Sequence, residues 1–407
     1  MYQSQQPKKI LSIFIAVNLA ILLYFKYTNF FIDNFNAAFF SDPADYLPAL
    51  DLILPLGISF FTFQSITYGV DVYRKVNAPA NQFSHYLLYI LFFPQLIAGP
   101  IVQYHQISHQ ITQRSYSTGQ LLEGFYRFAL GVIKKVFIAN VMAEWIVEIE
   151  IWEGNQVSIH SINAWLIALA YTVEIYFDFS AYSDMAIGLG KMAGFDIPEN
   201  FDRPYLSKTI TEFWRRWHMT LGDFMKNYLY IPLGGNRKGK VKMYLFLMLV
   251  FLLSGFWHGA SWNFVLWGVL HGVFLILDRL FLMKWSLKVP LLFQLLTFFI
   301  VVNGWVLFQN EDMTLMTQRF QDMYHWDGWE GFFQHQNATY YFAMFGMGLI
   351  WIFLGRFEGL KSWYSLQFDS TFHFATYGKL LVIGCCFIVA FSYLVAGDVN
   401  PFIYFNF

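Results

Sequence analysis

The sequence is short of charge. Only 13% of its 407 residues are Asp, Glu, Lys or Arg, about half the ~25% of an ordinary soluble domain. So few charges could not cover the surface of a water-soluble fold of this length, and that class is excluded. The charges nearly cancel, with a net charge of −1, so whole-chain charge points to no partner and gives no basic surface for nucleic acid. Cysteine is almost absent. The two present, Cys385 and Cys386, are neighbours in an apolar run, where adjacent helical side chains diverge and do not form a disulfide. They read as packing or lipid-facing residues, and no metal-ligand spacing exists in the chain. No Walker A loop is present: Gly234-Gly235-Asn236-Arg237-Lys238 is a charged turn without the required spacing or Lys-Ser/Thr pair. No Gly-x-Ser-x-Gly elbow marks a serine hydrolase, no repeat of 20–50 residues is evident, and no low-complexity linker divides the chain.

What remains is apolar: 57% hydrophobic and 21% aromatic residues. Runs long enough to cross a bilayer, about 20 residues each, set the class as an all-α polytopic membrane protein in a single domain over 1–407. About ten spans are expected, near 10–27, 50–70, 84–102, 121–147, 162–190, 241–258, 261–281, 289–308, 339–355 and 378–396. The first is read as a retained span rather than a signal peptide, because no small-residue cleavage site follows it. Lys8 and Lys9 place its start in the cytoplasm. Met243 to Leu277 holds no Asp, Glu, Lys or Arg for 35 positions, long for one span, so a break is expected at Gly259-Ala260-Ser261. Backbone at such a break must be buried in protein or face water. The stretches 309–338 and 356–377 read as extramembrane loops, the first with interfacial aromatics at Trp326, Trp329, Phe332 and Phe333.

The segment 201–242 differs from the rest. Nine of the 26 Lys and Arg lie in it, among them Arg203, Lys208, Arg215, Arg216, Lys226, Arg237 and Lys238, interleaved with Phe213, Trp214, Trp217, Phe224, Tyr228 and Tyr230. The positive-inside bias puts it on the cytoplasmic side, as an amphipathic or re-entrant helix or a plain topology anchor.

Three sets of polar residues stand inside apolar sequence, where ionisable groups are costly and mark candidate sites. His258, in LSGFWHGASWNF (253–264), sits beside the expected helix break and is either a proton-transfer group or a hydrogen bond between helices. His271 has no such break and reads as structural. His218, in EFWRRWHMTLGDF (212–224), either lines the mouth of a tunnel or serves an interfacial role. In EIYFDFSAYSDMAIGLG (174–190), Glu174 and Asp178 share a helical face and Asp184 follows, a set for ion-pair buttressing against nearby arginines or for a proton relay.

Four stretches then become recognisable together: LPLGISFFTFQSITYGVDVYRK (54–75), FFPQLIAGPIVQYHQI (92–107), the run from YFDFSAYSDM to IPLGGNR (176–237), and LLSGFWHGASWNFVLWGVLHG (252–272). They resemble the membrane-bound O-acyltransferase family, and within it the bacterial branch holding the alginate O-acetyltransferase membrane subunit. The ending PFIYFNF (401–407) is similar to that family's usual close. The resemblance implies a helical membrane fold around a central tunnel, with re-entrant helices, in the bacterial inner membrane. It implies catalytic roles for His258 and His218, and no resident cofactor or metal. It implies acetyl-CoA as a cytoplasmic donor substrate, whose phosphates Arg215, Arg216, Arg237 and Lys238 could bind. The acetyl group would pass to an extracytoplasmic polysaccharide, alginate-like or peptidoglycan, through a separate SGNH-type transferase partner. Under that reading His258 is the general base or an acyl-carrying nucleophile, and His218 orients the donor or steadies the oxyanion. Relatives usually begin with additional hydrophobic segments before the stretch matching 10–27, whereas this chain starts later, through a shorter gene start or a truncation. Three rivals are a transferase of D-alanine to teichoic acid from a carrier-protein thioester, a transporter, and a non-catalytic scaffold that holds a polysaccharide synthase and would have no need of His258. A transporter would often show inverted repeats, and none is seen.

Overall fold

The computed structural model describes residues 5–329, 331–354, 366, 374–397 and 401–403. Its regular elements are helical: α1 Pro7–Phe39, α2 Ile58–Tyr73, α3 Phe83–Leu91, α4 Phe93–Leu96, α5 Tyr104–Thr112, α6 Thr118–Lys134, α7 Asn140–Trp152, α8 Ser161–Met192 and α9 Ile210–Phe213. They continue with α10 Met219–Phe224, α11 Ile231–Leu233, α12 Lys240–His258, α13 Trp262–Leu277, α14 Met283–Ser286, α15 Pro290–Gln309, α16 Met313–Tyr324, α17 Ala338–Leu354 and α18 Phe374–Ala396.

Six helices among the described residues are long and apolar enough to cross a membrane: α1, α8, α12, α13 with its extension to Ser286, α15, and most of α18. The remaining expected spans take other forms. The stretch 50–70 begins as coil and becomes the 16-residue α2, almost every residue of which is buried against protein. The stretch 84–102 is broken into α3 and α4 ahead of Pro94, because proline fits the first turn of a helix but not its interior. The stretch 121–147 is one continuous helical rod, α6 to α7, with a π turn at Lys135–Ala139. The region 339–355 yields α17, 17 residues long. The break between α12 and α13 falls at 259–261, where the sequence placed it.

The axis of the fold is α8, buried along most of its length. α6 lies against it through glycines: a Cβ on Gly188 would sit 2.5 Å from the Gly124 carbonyl oxygen and 2.6 Å from the Phe128 nitrogen. This is the close approach that small residues allow between membrane helices. Two of the three acids of α8 are paired there. Asp184 accepts from Arg127 and Lys134 at 2.8 Å each, and Asp178 from Lys135 at 2.6 Å. The partners are one arginine and two lysines, from α6 and the start of the π turn. The extra residue of that turn helps two consecutive lysines meet two acids on one facing helix. Asp178 also accepts from the Ile403 backbone N–H, and Lys135 donates to the Pro401 carbonyl, so residues 401–403 are pinned to the axis. The rest of PFIYFNF lies outside the described residues, as does most of 356–377.

Segment 201–242 is not one amphipathic helix. It is α9, α10 and α11 joined by 3₁₀ and π turns, folded into the protein. Positive φ at Arg203, His218, Gly234, Gly235 and Gly239 bends the chain repeatedly, and Pro204 and Pro232 start new turns. Its Phe213, Trp217 and Phe224 are core residues rather than surface anchors. The 309–338 stretch contains α16. Trp326 and Trp329 are exposed and in edge contact at 5.1 Å, while Phe333 is fully buried.

Candidate active site

His258 is the last residue of α12. Gly259 follows in an extended conformation, and a Cβ there would lie 2.0 Å from the Phe264 ring, so only glycine leaves room for the chain to turn. The His258 ring is 3% exposed and boxed by the rings of Trp257, Trp267 and Phe308 at 4.8, 5.1 and 5.2 Å. Aromatic walls exclude water and leave the imidazole in a low-dielectric setting.

His218 stands between α9 and α10 with φ 45° and ψ 53°, a left-handed backbone that a non-glycine residue adopts at a cost. Asn200 holds it there. Its backbone carbonyl accepts from Met219 N, and its side-chain oxygen accepts from Thr220 N at 3.2 Å and from the Thr220 hydroxyl at 2.9 Å. That hydroxyl in turn accepts the Ile101 N–H at 2.8 Å. A backbone N–H can only donate, so the Thr220 contact fixes which end of the Asn200 amide faces the turn. His218 Nδ1, 3.1 Å from the same oxygen, must therefore carry the proton. The neutral ring then presents Nε2 as a lone pair, and this atom is buried with no hydrogen-bond partner among the described residues. The rings of His218 and His258 both approach Trp257, at 6.4 and 4.8 Å, and the two histidines are within electrostatic reach of one another.

A cavity of about 730 Å³ lies next to the segments that carry this pair, though neither histidine is among its lining residues. Its walls include Arg215, Lys226, Arg237, Lys238 and Arg279, with Asp223 as the one carboxylate among its lining residues. Met219, next to His218, is one lining residue. Leu247, Val250, Phe251 and Ser254 form another wall, and their 3–4 residue spacing is a single stripe of α12. The next position on that stripe is His258, one turn beyond Ser254.

Of the residues expected at the site, Arg215, Arg237 and Lys238 line the cavity. Arg216 is not among its lining residues; its guanidinium pairs with Glu212 at 2.8 Å and approaches Asp202 at 3.7 Å. His271 is buried on the far side of Trp267, its ring 4.8 Å from that indole and 5.0 Å from Trp214. Lys226, Arg279, Asn200 and Thr220 were not singled out from sequence. Lys226 was counted among the basic residues of 201–242 but not put forward for the site, and Arg279 stood as charge just after the apolar run to Leu277, whereas Asn200 and Thr220 matter through a loop closure that sequence spacing does not reveal.

The sequence model of the membrane-bound O-acyltransferase family matches residues 75–318, a stretch that contains both histidines and the whole cavity. The chain belongs to the membrane-bound O-acyltransferase family. Among members, it is 41% identical over 326 residues to a probable alginate O-acetylase of Pseudomonas syringae pv. tomato, covering 78% of this chain and 60% of the relative. It is 39% identical over 330 residues to a peptidoglycan O-acetyltransferase of Helicobacter pylori, covering 74% and 61%. It is 28% identical over 297 residues to a teichoic acid D-alanyltransferase of Bacillus subtilis, covering 67% and 73%. The chain thus spans about three fifths of the length of its alginate- and peptidoglycan-type relatives. Family membership fits the helical fold and the six long apolar helices.

Proposed function

We propose that this family member is a membrane O-acetyltransferase. It takes acetyl from acetyl-CoA on the cytoplasmic side of the inner membrane and delivers it for O-acetylation of an extracytoplasmic polysaccharide, an alginate-like polymer or peptidoglycan. The observation that carries the reading is the basic cavity whose α12 wall runs in register to His258. Five cations against one carboxylate suit the phosphates of a CoA thioester. The aromatic box around His258 suits a proton transfer sheltered from water.

In the proposed step the acceptor hydroxyl attacks the thioester carbonyl carbon. A C–O bond forms, the C–S bond breaks, and the hydroxyl proton passes through the His258 imidazole to the departing thiolate, giving CoA–SH and the acetyl ester. His218 belongs to the donor side. Its buried lone pair at Nε2, without a partner among the described residues, fits an acceptor of an N–H from the acyl donor better than an oxyanion-holding donor, so of its two expected roles we assign orientation. The relatives named for alginate and peptidoglycan acetylation support an acetyl group passed to a polysaccharide; in the proposal a separate SGNH-type transferase completes delivery.

The test is donor choice. The purified chain in lipid nanodiscs is given acetyl-CoA or a D-alanyl carrier-protein thioester, each with and without a candidate SGNH partner. Release of CoA that depends on Arg237 and Lys238, with no use of the carrier thioester, is the expected result. Consumption of the carrier thioester alone overturns the acetyl-CoA assignment.

A further inference from the structure

A break in a membrane helix exposes the carbonyls of its last turn, and lipid offers them no donor. At the end of α12 these carbonyls are met from α1. Lys26 Nζ lies 2.6 Å from the Trp257 carbonyl oxygen and 3.0 Å from that of His258. It is also 3.3 Å from the Ser59 hydroxyl of α2. The next residue, Tyr27, donates its hydroxyl to the Phe256 carbonyl at 2.7 Å. Two adjacent side chains therefore hold three successive carbonyls of the turn that ends in His258. The three acceptors around Nζ match the three donors of an ammonium group, and a cation at a helix C-terminus opposes the negative end of the helix dipole. The same ammonium lies 5.9 Å from the Trp257 ring centroid, whose far neighbours are Phe63 at 5.0 Å and His218 at 6.4 Å.

Lys26 is otherwise out of place: past Lys8 and Lys9 at the start of α1 it is the one cation of that helix, whose apolar composition suits lipid, where a charge is costly. We propose that Lys26, assisted by Tyr27, is a positioning residue for the reaction. It caps α12 at the break, joins α1 and α2 to it, and fixes the backbone from which the His258 and Trp257 rings project. The proposal rests on the reading of His258 as the proton-transfer group. It makes α1 part of the active site's construction rather than a peripheral anchor.

The experiment uses the full chain in nanodiscs, with CoA release from acetyl-CoA measured per folded protein for wild type, Lys26→Met, Lys26→Arg, Tyr27→Phe and His258→Ala. Misplacing a reacting group by about an ångström costs on the order of 100-fold, so Lys26→Met is expected to lower kcat roughly 10- to 100-fold. KM for acetyl-CoA should stay within about twofold, because Lys26 is not among the residues lining the donor cavity. Lys26→Arg, which keeps charge and donors, should restore most of the rate, and Tyr27→Phe should lower kcat by a smaller factor. A Lys26→Met protein with wild-type kcat, or one whose loss lies only in the folded fraction, overturns the proposal. If Lys26→Met does not fold, Tyr27→Phe decides: a lowered kcat at unchanged KM supports positioning, and a wild-type kcat refutes it. Wild-type turnover in His258→Ala would instead refute the reading of His258 on which the proposal stands.

Discussion

Replacing Asn200 by alanine removes one oxygen that serves three donors in a fully buried site: Thr220 N, the Thr220 hydroxyl and His218 Nδ1. The hydroxyl can rotate toward another acceptor, but the backbone N–H and the imidazole N–H cannot follow. Each buried donor left without an acceptor costs about 1–3 kcal/mol, so the variant is expected to lose about 2–6 kcal/mol of stability. The His218 ring would also lose the contact that sets its tautomer, freeing Nδ1 to become the lone pair and Nε2 to carry the proton. Turnover should fall by about 10-fold or more per folded molecule, through a ring presented with the wrong nitrogen. Asn200→Asp keeps an acceptor for all three donors while giving up the Nδ2–H donated to Ser183 at 3.3 Å, and should lie between wild type and alanine in melting temperature. The assay pairs thermal unfolding in nanodiscs with CoA release from acetyl-CoA. An Asn200→Ala protein that melts with wild type and turns over within twofold of it would refute the argument that this amide sets His218.

Other outcomes follow from the same structure. Asp184→Ala strands Lys134, buried inside the protein, while Arg127 keeps Glu199 at 2.6 Å, and should cost about 3–5 kcal/mol; the double variant with Lys134→Met should recover much of it, read by thermal unfolding. Gly188→Ala drives a methyl into the backbone of α6 and should destabilise by at least the about 1–3 kcal/mol of an overpacked core, more than alanine at Gly346, where a Cβ meets nothing within 4 Å. Outside the spans, His160 Nδ1 lies 2.9 Å from Glu153, and that hydrogen bond raises its pKa above the ordinary 6.5. A pKa raised by folding stabilises fully below the unfolded value and fades as pH rises through the folded one, so His160→Gln should flatten a decline in melting temperature on the alkaline side of pH 6.5. The effect is small, because the ring is 46% exposed.

Much of this was legible in the residues. The charge deficit and apolar runs gave the membrane class, and the run from Met243 to Leu277 gave the helix break beside His258. The motifs around His218 and His258 led to the family that the sequence model and relatives show. The span count was less legible. Hydropathy reports how apolar a segment is, not what surrounds it, and α2 is apolar because it is buried in protein rather than in lipid. The fold of 201–242 was hidden for a related reason. Basic and aromatic residues at helical spacing fit an interfacial helix as well as they fit a chain of short turns, and the left-handed backbone at His218 is enforced by Asn200 through a contact 18 residues away. Lys26 was visible as an isolated charge in a span, but the α12 carbonyls it holds are more than 230 positions distant.

The central claim is that His258 carries the proton transfer in acetylation. Its most direct test is single-turnover labelling in nanodiscs, with acetyl-labelled CoA, the SGNH partner and a polysaccharide fragment, comparing wild type with His258→Ala and checking both for the same melting temperature and the same affinity for CoA. The account predicts label on the acceptor from wild type and a loss of at least about 100-fold in the variant, the range expected when a general base is removed. Equal label transfer by the two proteins would contradict it.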